Sequence, residues 1–156
     1  MKSVIYICLS ILLAICISCN FQEAPIIENE AYLFYKNNED EINNIICEKV
    51  LGKVDRIANK TQTKLLGGTN QELYVWALCI YNPDKNGIES STFLPVKVSY
   101  SDNAILTVEF PRDGNLYSED LKKLFPKSVN SYYLNDIDKY NKIVEELQIQ
   151  SSVVEK

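Results

Sequence analysis

The run Leu73-Tyr74-Val75-Trp76-Ala77-Leu78-Cys79-Ile80-Tyr81 constrains the fold more than any other part of this chain. It carries no charge and is rich in residues that favour extended backbone. Side chains of a strand alternate between its two faces, and here both faces are apolar. Such a strand belongs at the centre of a sheet covered on both sides, because a face left in water forfeits the gain from burying it. Val75, Ala77 and Cys79 make a face of small side chains, suited to receive a helix; Trp76, Leu78 and Ile80 make the other.

The spacing predicts that helix over residues 38–54. Asn37 or Asn38 caps it, and Glu39, Asp40 and Glu41 fill a first turn where the helix dipole favours negative charge. Ile42, Ile46, Val50 and Val54 recur every four residues as one apolar stripe, with Cys47 on its flank and Lys49 and Lys53 near its end. Residues 20–37 read as a tether. In it, Ala31-Tyr32-Leu33-Phe34-Tyr35 is apolar enough to dock as a short strand or helical turn.

Residues 55–111 read as four antiparallel strands. Gly67-Gly68-Thr69-Asn70, Pro83-Asp84-Lys85-Asn86-Gly87 and Ser101-Asp102-Asn103 supply the turns. Val96, Val98 and Tyr100 are expected inward, with Leu106, Val108 and Phe110 continuing the pattern. Two helices follow. Ser118 caps the first, and Pro126 comes after its end; Asn135 caps the second, whose stripe is Ile137, Tyr140, Val144 and Leu147. The expectation is one α+β domain over residues 38–150: a helix, a four-stranded antiparallel meander, then two helices. A helix across a curved antiparallel sheet looks like cystatin-like or NTF2-like architectures, an analogy of fold that carries no function.

Charge removes several classes of partner. Against 16 basic residues stand 21 acidic ones, so neither nucleic acid nor anionic lipid is attracted by the protein's charge. There is no histidine. A Ser-His-Asp or Cys-His arrangement is excluded, and the commonest general base is missing. No P-loop or GxGxxG signals a nucleotide, no cofactor motif is present, and two cysteines without further ligands do not make a zinc site. The loop Pro111-Arg112-Asp113-Gly114-Asn115-Leu116-Tyr117 joins the last strand to a helix. Arg112 suits planar contacts to carboxylates, Asp113 begins a turn, and Tyr117 can stack beside them. Either this is a recognition loop, or Asp113-Gly114 is only a turn and Arg112 pairs with a local acid such as Glu109.

The first nineteen residues have a separate character: Lys2, an uncharged apolar run from Ser3 to Ile17, small Ser18, then Cys19. A basic start, a short apolar core and a small residue make a secretory signal. The run is short of the roughly 20 apolar residues of a spanning helix. With Cys16-Ile17-Ser18-Cys19 it resembles the signal of bacterial lipoproteins, although Cys16 stands where that family usually has leucine. The resemblance implies that residues 1–18 are removed as a signal peptide and that Cys19 is acylated. The mature protein would then be held by lipid on the outer side of a membrane in the cell envelope, with residues 19–37 as lipidated N-terminus and tether. It covers only these residues, and the mature domain resembles no named family.

Loss of 18 of 156 residues leaves 138, enough for one domain, and loss of Lys2 takes the formal charge from −5 to −6. Cys8 and Cys16 leave with the signal, so Cys47 and Cys79 remain beside the acylated Cys19. Outside the cytoplasm these two can form a disulfide, worth about 3–4 kcal/mol in the chain-entropy model; as buried free thiols they act as small apolar side chains. The expected role is a non-catalytic binding or interaction module in the envelope. The alternatives are a carboxylate-dependent hydrolase of envelope polymers, which needs two acids converging in one cleft, or a structural accessory subunit of an envelope complex, which needs a large apolar patch.

Overall fold

β-Branched and aromatic residues dominate the middle of the chain, and in the structure, a computed structural model, they form one antiparallel sheet. Its strands are β1 (Asn59–Gly68), β2 (Glu72–Tyr81), β3 (Ser90–Ser101) and β4 (Ala104–Glu109), in the order β1-β2-β3-β4. The structure describes residues 23–52, 59–81 and 90–153. The leader and Cys19, the end of the expected stripe at Val54, and the turn at Pro83–Gly87 lie outside them.

β2 is the central strand that its two apolar faces demanded. Val75, Ala77 and Cys79 are fully buried in a core shared with Ile42 and Ile46 of the first helix and with Val96, Val98 and Val108. Trp76 and Leu78 look the other way, into a second core with Leu121, Phe125, Val129, Ile143 and Leu147. Helices therefore cover both faces, and the domain has three layers with the sheet in the middle. Pro95 sits within β3 opposite Trp76, beyond the last pair with β4, where its missing N–H leaves no ladder position open.

The first helix, α1 (Asn29–Leu51), begins nine residues ahead of the expected start. The capping signal at Asn38 marks a kink instead: its φ and ψ are −123° and 16°, and its side-chain amide donates to the Phe34 carbonyl at 2.8 Å. Helix precedes the kink because burial favours it there. Ala31, Phe34 and Tyr35 all enter the core, and Phe34 stacks on Tyr100 with ring centres 3.8 Å apart. The Tyr35 hydroxyl donates to the Thr63 carbonyl at 2.8 Å, tying α1 to β1.

Two expectations within the sheet are corrected by bulges. Gly67 and Gly68 belong to β1 rather than to the turn, which is made by Thr69, Asn70 and Gln71. Leu106 is 62% exposed. Ser99 pairs with Thr107 and Tyr100 with Ile105, so Leu106 is the extra residue of a bulge, and Ile105 packs on the core in its place. The β3–β4 turn falls where expected, with Asp102 and Asn103 at φ of 49° and 64°, the pair of left-handed residues that a tight hairpin requires.

After β4 come α2 (Tyr117–Leu124), a single turn α3 (Lys127–Val129), a π-helical turn (Asn130–Leu134) and α4 (Ile137–Val153). Ser118 lies inside α2 rather than capping it. Asp136, not Asn135, caps α4: its Oδ1 accepts the N–H groups of Asp138 and Lys139 at 3.1 and 3.2 Å. The inward stripe of α4 is buried Ile143 and Leu147 with partly buried Tyr140, while Ile137 is 68% exposed. Both stripes satisfy a helical period. The edge-on contact of Tyr140 with Trp76, 5.3 Å between ring centres, fixes the rotation that the period alone leaves open.

Candidate functional site

The loop that follows β4 brings Arg112, Asp113 and Tyr117 into one short segment, as the sequence implied. Gly114, at φ +75°, opens a 3-10 turn over Gly114–Leu116 that runs directly into α2. The partner of Arg112 is Asp120, not Glu109. Arg112 Nε and Nη2 donate to the two Asp120 oxygens at 2.7 and 2.8 Å, and the Arg112 backbone N–H adds a third bond at 3.0 Å. One turn of α2 is enough to aim Asp120 back across the loop. Asp113 stays exposed. Tyr117 is half-buried, and burial and the Tyr140 hydroxyl push its phenol above the ordinary range. The guanidinium fork is thus engaged within the chain, as a clasp between loop and helix.

The clasp makes a pH prediction. Hydrogen bonds from Arg112 hold the Asp120 carboxyl well below the usual carboxylate range. A depressed folded value stabilises above the unfolded value of about 4 and is lost as pH falls through the folded one. Asp120→Asn is therefore expected to be less stable than the parent by a constant amount above about pH 5, with the gap closing in stronger acid. Urea unfolding of both chains between pH 7 and pH 2 measures it; a gap that widens in acid contradicts the assignment.

Beside the clasp, on the other flank of α2, lies a groove of about 490 Å³. α2 supplies Ser118, Leu121 and Lys122; Phe125, Lys127 and Asn130 come from the chain that turns beneath its end. Leu121 and Phe125 belong to the second core and form an apolar floor. Asn130 is buried and its amide donates to the Leu121 carbonyl at 2.9 Å, which pins the π-helical turn to α2. Sequence reasoning missed this groove. The stretch 127–135 has no apolar period, so nothing in it marks the wall of a cleft; Pro126 signalled only that α2 had ended.

Among the described residues, the carboxyl groups with displaced acidity all move downward. Burial opposes the charge of Glu72, but hydrogen bonds from Lys97, at 2.6 Å, and Tyr74 outweigh it. Lys123 does the same for Glu119 at 2.6 Å, and the N–H and side chain of Lys139 for Asp136. A general acid needs the opposite displacement, and among the described residues no carboxylate lines the groove. Among the described residues, no three His, Cys, Asp or Glu stand close enough together to hold a metal ion, and no helix is long and apolar enough to cross a membrane.

Cys47 of α1 and Cys79 of β2 are both buried, as free thiols. Burial first, and then the neighbouring Cys47, push the Cys79 thiol up to about 12. Cys79 is therefore slow to form the reactive thiolate, and burial shields Cys47 from reagent, so both are expected to resist iodoacetamide in the folded protein and to react on unfolding. Mass spectrometry of the alkylated chain reads this directly. Rapid native labelling of Cys79 would show that α1 opens away from the sheet.

Compared with protein-family models, with curated proteins and with solved structures, the chain matches none.

Proposed function

We propose that this chain is a bacterial envelope lipoprotein, held to a membrane by acyl groups on Cys19, whose folded domain binds a ligand rather than transforming one. The leader and its Cys16-Ile17-Ser18-Cys19 box support the anchor. The groove beside α2 carries the binding reading: among the described residues it has an apolar floor, a polar rim and no carboxylate in its wall. Its volume of about 490 Å³ suits a small molecule. Around the groove the carboxylates of α2 and α4 are engaged by cations, Glu119 by Lys123, Asp120 by Arg112 and Glu146 by Lys64, while the acids that share a cleft, Glu39, Asp40 and Glu41, sit apart on α1.

Two experiments test the two halves. Growth with labelled palmitate should mark the protein, and Cys19→Ser should remove the label and release the chain from membranes; an unlabelled protein with an intact Met1 refutes the anchor. Purified chain incubated with envelope polymers should liberate no soluble fragments. Fragments released by the parent and lost with a single carboxylate variant would restore the hydrolase reading.

A further inference from the structure

The groove gathers cations that meet no carboxylate among the described residues. Among the described residues, Lys36, Lys64, Lys97, Lys123, Lys139 and Arg112 each meet a carboxylate, and Lys49 meets the Val108 carbonyl. Lys122, Lys127 and Lys142 meet no carboxylate there, and the first two line the groove. In a chain with 21 acidic and 16 basic residues, two unpaired cations in one cleft with no acid among its described lining residues are a local reversal of sign. Of the other polar groups, the Ser131 hydroxyl is already bonded to the Lys127 carbonyl at 2.8 Å and the Asn130 amide to Leu121. The Ser118 hydroxyl, the Asn135 side-chain amide and the two ammonium groups are left to face a ligand.

Resting on the binding reading above, we propose that the groove takes a small apolar molecule bearing one phosphate or carboxylate group. Its body lies over Leu121 and Phe125, and its anion is held by Lys122 and Lys127. A lone ammonium at a partly apolar wall gains most from an anion that supplies charge-assisted hydrogen bonds. Lysine rather than arginine suits a terminal anionic group, because its rotatable point charge imposes no fork geometry. The floor adds contact with an apolar body, which a bare ion lacks.

The test is a titration of the full, anchored chain with phenyl phosphate, followed by backbone NMR shifts. Saturable shifts confined to residues 118–135 are expected. Inorganic phosphate, which has no apolar body, should bind at least about tenfold more weakly. The Lys122→Gln/Lys127→Gln double variant should lose at least about tenfold in affinity for phenyl phosphate. Lys122→Arg/Lys127→Arg, which keeps both charges, should stay within about threefold of the parent. Unchanged thermal melting of the variants separates lost binding from lost folding. Displacement of phenyl phosphate by dioctanoyl phosphatidic acid assigns the anion to a lipid headgroup; retention against it assigns the anion to a free solute. The proposal is overturned if phenyl phosphate gives no saturable shifts up to about 10 mM, if the shifts map elsewhere, or if the glutamine variant binds as well as the parent. Palmitate labelling is read separately. A labelled chain that ignores phenyl phosphate ends the groove assignment alone, and an unlabelled chain that binds it ends the anchor alone.

Discussion

Replacing Trp76 with alanine is expected to cost about 3–5 kcal/mol of folding stability, a large share of the 5–15 kcal/mol typical of a whole domain. Trp76 is 4% exposed and stands at the centre of the second core, between β2 and the layer formed by α2 and α4. Its ring meets Tyr140 edge-on at an interplanar angle of 80°, so truncation removes both buried area and the contact that orients α4. A cavity so placed cannot collapse easily, because Leu78 and Tyr74 beside it are held by the sheet. Trp76→Phe should cost less than half as much. The indole N–H has no hydrogen-bond partner in the protein, so phenylalanine surrenders ring volume and no intramolecular hydrogen bond. Denaturant unfolding followed by far-ultraviolet circular dichroism compares the two variants; equal losses would mean that the indole nitrogen carries the stability rather than the ring.

Gly68→Ala is expected to cost about 2 kcal/mol through overpacking, although alanine would ordinarily stiffen the unfolded chain in its favour. An added Cβ would stand 2.7 Å from the Ala31 Cβ and 3.1 Å from the Glu72 carbonyl. Gly68 cannot retreat, because its N–H donates to the Ile26 carbonyl at 3.2 Å and its own carbonyl accepts from the Glu28 N–H at 3.1 Å. The first turns of α1 must move instead, and with them Phe34 on Tyr100. Ala31→Gly/Gly68→Ala transfers the methyl across the contact. Its loss should be smaller than the sum of the single losses, because the two sites touch. Strict additivity in that cycle would show that α1 does not rest on Gly68.

These two positions show how far the sequence reading reached. Alternation alone places Trp76 on the correct face of a central strand, because it needs only the residues two positions away. Gly68 reads as a turn residue in the sequence, because glycine serves equally where φ must be positive and where a backbone must approach closely; only the position of Ala31 separates the two uses. The same limit explains Arg112. Its type announces a carboxylate partner, but a local acid such as Glu109 is as plausible from the sequence as any other, and only the helical turn that brings Asp120 round decides between them. Lys122 and Lys127 carried no signal at all, since an unpaired lysine is recognisable only when the acids around every other lysine are known.

Read alone, the chain determined its α+β class, its four consecutive antiparallel strands and the two buried faces of β2. It did so because the periods of strand and helix are local properties of the backbone, written in residues two to four apart. The tertiary structure decided what depends on distant partners. It extended α1 back to Asn29 where Tyr100 could cover Phe34, and turned Leu106 outward at a bulge. It also chose which stripe of α4 meets Trp76, and gathered Lys122 and Lys127 around one groove. Each of these outcomes is settled by which surfaces lose water together, and that is a property of the assembled layers rather than of any segment.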